Sequence, residues 1–420
     1  MKKTIALLLY AGMLLQPAPT AREALASLQR QAHEARIDGD VTGRLRAVLG
    51  IRELLNGAPD IVEASAQAYL AAGDTIQALA ALGRYAEMGQ ADDEMLSGKD
   101  SNFLALRGLP QYEPILKRMA MNKTAIGLAE PAVMLSDQGI LPEDIDYDPS
   151  AKSFLVTSVL EKKIIRINLD GKAMDFASSP SHWPMLAVKV DAAHQLVWAT
   201  EVALDGWAGV PKADWGQAAV LCFDLRTGVL RQRIEGALGT SLGDMVLTRR
   251  GEPIISDGEG GGIYRVVKDS LERIDRGDFI SPQTPVPAPD GNRLFVPDYT
   301  RGIGILDLSS RKVIWLSQDR YALNGVDGLY YDRGTLLLTQ NGGSPERVVR
   351  LWLDKPGEHV VSGQIVERAT PMLGDPTHGV VVGGSFYYIA NSGWDQLDEH
   401  GSVKAGGKLT SGRIMRFRLN

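Results

Sequence analysis

From about Pro131 onward the chain repeats itself every 40–50 residues, and that period limits its fold more than any other feature. Each unit opens with a small or polar step, runs into a strand, turns at Asp or Gly, and continues into a second strand. Unit starts fall at Pro142, Pro184, Gly243, Pro282, Val326 and Pro376, with separations of 42, 59, 39, 44 and 50 residues. The clearest runs are Phe154–Val159, Gln195–Thr200, Arg293–Val296 and Ser385–Ala390. All are short, rich in β-branched and aromatic residues, and bounded by Gly, Asp, Pro or Asn. A repeat of that length built from about four short strands is the signature of a β-propeller blade. Six starts predict six blades. The longest unit carries an insertion, Leu204 to Trp215, holding Trp207 and Trp215. The last strand, Arg413–Leu419, alternates well and is expected to pair with Ala132–Leu135, closing the ring and removing exposed edges. A pair of β-sandwiches accounts poorly for the period.

The first part of the chain has another habit. Residues 1–122 hold 22 alanines and no tryptophan, whereas all seven tryptophans lie at 183 or later. Alanine is the best helix former, and apolar spacing predicts helices over 61–74 and 75–88, with Gly73-Asp74 as the turn. Residues 22–38 and 42–56 suggest another pair. Phe103–Leu106 followed by Tyr112–Met119 suggests a closing one. The Tyr-Leu…Gly-Asp step before an alanine-bearing helix resembles a tetratricopeptide repeat. The expected fold is therefore α plus all-β in two domains. Helical hairpins occupy 22–122, a linker 123–130 and a six-bladed propeller 131–420.

Lys2 and Lys3 precede an eleven-residue apolar stretch, Ile5 to Leu15, and then helix breakers and small residues. Eleven residues are too few to span a hydrocarbon core of about 30 Å. The pattern is that of a cleaved general-secretory signal over 1–21, cut near Ala21, which predicts a periplasmic or secreted protein with no span in its mature form. The net charge of −6 argues against nucleic acid, whose binding needs a basic face. Cys222 stands alone, so no internal disulfide and no cysteine metal cluster is available. Gly258–Gly262 lacks the Gly-Lys-Ser/Thr ending of a phosphate loop, and Asp395–Glu399 lacks the glycine and terminal glutamate of a calcium-hand loop.

In a propeller the starts of the innermost strands converge on one mouth of the central channel. The polar groups there are Glu143-Asp144, Trp183, Asp244, Gln283, Asp327 and Thr377-His378, with Asn341 and Asn391 following strands that flank the same face. Such an oxygen-rich ring suits a hard cation such as Ca²⁺ or Mg²⁺. Without one, like charges raise carboxylate pKa values and cost stability.

Pro142–Asp148, Pro282-Gln283 ahead of Pro289–Val296, and Val326–Leu329 resemble the gluconolactonase / senescence marker protein / luciferin-regenerating enzyme family over residues 131–420. The resemblance implies a six-bladed propeller, often a metal-dependent lactone or ester hydrolase. It places metal ligands on Glu143, Gln283 and Asp327. The family's two asparagine ligands fall on Gly243 and Gln283, so this sequence departs at both, with Asp244 beside the gap. On this reading Asp327 or Glu143 helps deprotonate water beside a divalent cation, and His378 is an alternative base or leaving-group acid. Asp144, Trp183, Asp244, Asn341, Thr377 and Asn391 line the substrate.

Two functions follow. One is an exported, divalent-metal-dependent hydrolase of a lactone or related ester. The other is a binding platform that holds a small molecule in its funnel and a protein partner on the helices. A third possibility makes the helices a rigid cap on the propeller.

Overall fold

The computed structural model describes residues 18–135, 139–318 and 320–419. Its strands fall into six antiparallel sheets in chain order. Blade 1 is Pro142–Asp148, Ser153–Ser158, Lys163–Asn168 and Ala173–Ser178. Blade 2 is Met185–Asp191, Leu196–Val202, Ala218–Asp224 and Leu230–Glu235. Blade 3 is Leu242–Leu247, Pro253–Asp257, Gly262–Val267 and Ser270–Arg273, and blade 4 is Val286–Pro287, Arg293–Asp298, Gly302–Asp307 and Val313–Trp315. Blade 5 is Val326–Asp332, Thr335–Gln340, Arg347–Leu353 and Val360–Arg368. Blade 6 is Gly379–Val382, Ser385–Ile389 and Arg413–Arg418.

The chain closes its own ring. Glu130–Met134 supplies the outermost strand of blade 6, with Val133 opposite Ile414 and Met134 opposite Arg413. Just before it, Ile126–Gly127 adds a fifth strand to blade 5, opposite Arg368 and Glu367. The segment expected to be a plain linker is thus partly strand.

Apolar clusters fill the spaces between neighbouring blades. Ile145, Phe154, Ile389 and Ile414 join blades 6 and 1, and Leu155, Met185, Val197 and Leu221 join blades 1 and 2. Phe295, Leu329, Leu338 and Val349 join blades 4 and 5. Each sheet therefore buries both faces. The second strands of blades 1 and 5 are buried at every position.

The inner strands are irregular where they begin. The register shifts between Pro142 and Ile145 in blade 1, Met185 and Val188 in blade 2, Leu242 and Asp244 in blade 3, and Val326 and Gly328 in blade 5. A hydroxyl from the second strand fills three of these bulges. Thr157 Oγ1 accepts from Asp144 N at 2.9 Å, Thr200 Oγ1 from Ala187 N at 3.0 Å and Thr339 Oγ1 from Gly328 N at 2.9 Å. Thr157 also donates to Leu186 O of blade 2 at 2.7 Å, and Thr339 donates to Thr377 O ahead of blade 6.

The N-terminal helices are α1 (Ala21–Ile37), α2 (Val41–Leu54), α3 (Pro59–Ala71), α4 (Thr75–Glu87), α5 (Asp93–Ser97) and α6 (Glu113–Asn122). Asp40 and Asp74 cap α2 and α4, and Thr20 with Glu23 forms a capping box on α1. Phe103–Leu106 lies in a 3₁₀ helix rather than an α-helix, because Asp100 caps a single tight turn and Gly108 at φ +81° breaks the chain after it. The helices dock on blades 3, 4 and 5. Ala21 N donates to Gly277 O at 2.9 Å, Arg301 Nε to Leu54 O at 2.9 Å, and Ala91 N to Ser344 O at 2.7 Å. Arg301 and Ser344 sit in loops after second strands, on the face where the inner strands begin. Among the described residues no helix is long and apolar enough to cross a membrane. The basic and apolar stretch read as an export signal, residues 2–15, lies outside the described residues.

Thr157→Val keeps the shape but leaves Asp144 N and Leu186 O without their partner. Each unsatisfied buried group costs about 1–3 kcal/mol, so urea unfolding should show a loss of a few kcal/mol, with Thr157→Ser much milder.

Candidate functional site

The bulges turn acidic side chains into the mouth of the channel. Glu143 sits in the blade 1 bulge and Asp327 in that of blade 5, and His378 immediately precedes the inner strand of blade 6. One ligand atom from each of these three lies within 4.8 Å of the others. Asp244, beside the blade 3 bulge, joins them through the imidazole.

His378 is buried and engaged at both nitrogens. Nδ1 lies 2.9 Å from the Glu143 carbonyl oxygen, which only accepts, so Nδ1 carries a proton. Nε2 is in hydrogen-bond contact with Asp244 Oδ1. A second proton there makes the ring an imidazolium. Burial pulls the pKa down, but Asp244 in contact and the charge of Asp327 more than offset it, holding His378 well above its usual value.

The carboxylates are held just as firmly. Trp394 donates its indole N–H to Glu143 Oε2 at 2.6 Å. Asn341 Nδ2 donates to Asp327 Oδ2 at 2.9 Å, and Tyr299 O–H donates to Asn341 Oδ1 at 3.0 Å. Thr377 Oγ1 donates to Glu143 O at 2.8 Å. Burial, with Asp327 nearby, pushes Glu143 well above the carboxylate range, and burial lifts Asp327 to about 7. Burial also raises Asp375, whose Oδ2 accepts from Ser392 at 2.7 Å, and lifts Glu346 to about 7.

Of the residues expected from sequence, Glu143, Asp244, Asp327, Asn341, Thr377 and His378 come together. Asp144 does not join them: Val188 N donates to its Oδ2 at 2.8 Å and Lys189 forms an ion pair with the same oxygen. Asp144 is thus anchored to blade 2, and only its charge reaches His378. Gln283 turns into its own loop and donates to Ser281 Oγ at 3.2 Å. Trp183 is packed among Leu186, Trp207 and Leu242, with its indole N–H on Asp214 Oδ2 at 3.1 Å. Asn391 gives its amide to Thr410 Oγ1 and Ser411 O, while its Oδ1 is buried without a partner.

Sequence reading missed Tyr299, Asp375 and Trp394. Trp394 lies in the long loop of blade 6, and Trp207 of the blade 2 insertion packs on it with ring centroids 5.5 Å apart. The insertion thereby braces the indole that holds Glu143. Its aromatic pair was the available signal.

As donors, Glu143 and Asp327 each retain one carboxylate oxygen free of the Trp394 and Asn341 bonds, and hard oxygen donors fit a divalent cation. Gly243 offers no ligand, and His378 has no lone pair to give in the imidazolium form.

No protein-family model and no curated protein matches the chain. Solved structures share the fold. A calcium-binding protein, regucalcin, from Agrobacterium tumefaciens is 17% identical, with a TM-score of 0.47 over 70% of this chain and 95% of that one. A gluconolactonase from Xanthomonas campestris is 15% identical, with a TM-score of 0.46 over 71% and 98%. The PQQ-bound aldose sugar dehydrogenase of Streptomyces coelicolor is 14% identical, with a TM-score of 0.49 over 70% and 98%.

Asp327 has a raised pKa in the folded state, so the folded chain keeps its proton while the unfolded chain loses it. Its contribution to stability is complete below about pH 4 and is lost as pH rises to about 7. In chelator, Asp327→Asn should melt above the wild type at pH 8, and the gap should shrink toward pH 5. A gap independent of pH would contradict the raised value.

Proposed function

We propose that the protein is an exported hydrolase of a lactone or related ester, dependent on a divalent cation such as Ca²⁺, working at the channel mouth. The observation that carries this reading is the convergence of Glu143, half-buried, and Asp327, buried, both with raised pKa values, on one point. When bound, the cation supplies charge to polarise a carbonyl. Glu143 and Asp327 would hold it through their free oxygens.

The chain's own groups supply the rest. Asp327, near 7, is poised to take a proton from an attacking water and return it to a leaving alkoxide. Asn341, fixed by Tyr299, sets the orientation of that carboxylate. Trp394 fixes Glu143. The imidazolium of His378 contributes positive charge beside a developing oxyanion, rather than the free lone pair of a base. The helices docked on the same face shape the approach to the mouth, where a small uncharged or cationic molecule suits the acidic lining.

The second reading is a binding platform for such a molecule, with the helices offering a surface to a protein partner. It is favoured by Gly243, which brings no ligand, and by Gln283, which faces its own loop. One titration separates the two. Calcium, magnesium, manganese and zinc are titrated into metal-free protein, and lactone and ester hydrolysis is followed. The hydrolase reading expects about one ion per chain and an activity lost by at least 10²-fold in Asp327→Asn and Glu143→Gln. Ion binding or ligand binding without turnover leaves the platform. A melt indifferent to every ion, with no turnover, removes the hydrolase reading.

Export has its own check. The α1 capping box and the Ala21–Gly277 bond hold the start of α1 on blade 3. The mature N-terminus, sequenced from periplasmic or secreted material, should fall within 18–22. Full-length protein retained in the cytoplasm would contradict it.

A further inference from the structure

We infer that the cleft between the helices and blade 5 is a binding site for a small polyanion bearing phosphate or carboxylate groups. The cleft has a volume of about 840 Å³. Its walls are the end of α4, one side of α6 along its length, the outer strands of blade 5 and the segment that leads into that blade. It is separate from the acidic channel mouth and does not depend on what happens there.

Four arginines line it, Arg118, Arg320, Arg347 and Arg368, against a single carboxylate, Glu87. Arg347 is 5% exposed and Arg368 is 9% exposed. Neither forms an ion pair with a carboxylate among the described residues. Arg347 donates Nε to Gln340 Oε1 at 2.7 Å and Nη1 to Met88 O at 3.0 Å. Arg368 donates Nε to Thr124 O at 3.2 Å and Nη2 to Thr124 O at 2.9 Å and Met121 O at 3.4 Å. Every acceptor is neutral.

Arg301 is likewise held by carbonyls, those of Leu54 and Asp278, but it stands alone rather than in a cluster, and other arginines meet acids. Arg166 meets Asp148 at 2.6 Å, Arg233 meets Glu201 at 2.9 Å and Arg273 meets Asp275 at 2.9 Å. A buried charge lacking a counterion is costly, and here two stand side by side. Met88 and Met121 lie at the C-terminal ends of α4 and α6, so the helix dipoles offset part of that cost. They do nothing for Arg118 and Arg320, which are exposed at the rim and make no hydrogen bond or ion pair among the described residues. Arg347 Nη2 and Arg368 Nη1 likewise meet no acceptor among the described residues.

Four guanidinium groups with donors unspent form a fork-shaped receptor for planar or tetrahedral oxyanions, which accept two hydrogen bonds from one arginine. The mutual repulsion shows in the pKa values. Burial and neighbouring Arg368 bring Arg347 down to about 10, and burial and Arg118 lower Arg368. An anion with two or more charges cancels the repulsion and completes the hydrogen bonding. The walls also carry Pro114, Ile115, Tyr321 and Ile365, so an apolar or ring-bearing body is accommodated behind the anionic groups. Because the walls belong to both parts of the molecule, the ligand fastens the helices to the propeller.

The test uses the full chain stripped of divalent ions on a chelating resin and kept in metal-free buffer with no soluble chelator, which separates this site from the channel. Pyrophosphate and citrate are titrated at constant ionic strength, with binding followed by calorimetry and melting. The double variant Arg118→Ser/Arg320→Ser removes two exposed side chains that make no contact needed for folding. Lys99→Ser/Lys355→Ser is the charge-matched control. The expected result is saturable binding by wild type and control, at least tenfold weaker in the double variant. Pyrophosphate binding more tightly assigns the site to phosphate groups, and citrate binding more tightly assigns it to carboxylates. No binding of either anion, or equal binding by wild type and double variant, overturns the inference.

Discussion

Everything at the channel mouth depends on a small irregularity, the bulge at the start of an inner strand. A regular strand alternates its side chains between the two blades that flank it, and no carboxylate would face the axis. The extra residue breaks the alternation and frees Glu143 and Asp327 to turn inward. A bulge leaves backbone groups unpaired, and the hydroxyls of Thr157, Thr200 and Thr339 satisfy them. Two of those hydroxyls also reach a carbonyl at the neighbouring blade. The orientation of the acids is thereby tied to the packing of one blade on the next, and a rigid ring yields a rigid site.

The same logic explains what the sequence made legible. The four β runs that stand out by composition are all second strands, in blades 1, 2, 4 and 6. A second strand is buried on both faces, so its middle is apolar or β-branched at successive positions, and it needs no alternation to be noticed. Outer strands such as Ala173–Ser178 and Ser270–Arg273 are half exposed and carry little pattern. Closure by Ala132–Leu135 was readable because an alternating final strand demands a partner. The two-residue Ile126–Gly127 was not, because so short a strand is defined only by the edge it meets.

Site residues divide along similar lines. Glu143, Asp327 and His378 were legible as polar groups at strand starts, where a blade repeat places the channel. Asp144 was not separable from Glu143 in the sequence, because its partners, Val188 N and Lys189, come from the next blade, 44 and 45 positions away. Trp394 reaches Glu143 from a loop 251 positions away, and Tyr299 reaches Asn341 across 42. Such contacts exist only once the ring is closed.

The departures at Gly243 and Gln283 take on a physical meaning beside His378. Gly243 brings no side chain to the mouth, and beside it the imidazolium links Asp244 to the Glu143 carbonyl and supplies positive charge to the cluster. Burial and the neighbouring acids still outweigh that positive ring at Glu143 and Asp327, whose carboxyls are both pushed upward, Asp327 to about 7. On the hydrolase reading a cation would compete with protons for these two carboxyls, and that competition would weaken as pH rises.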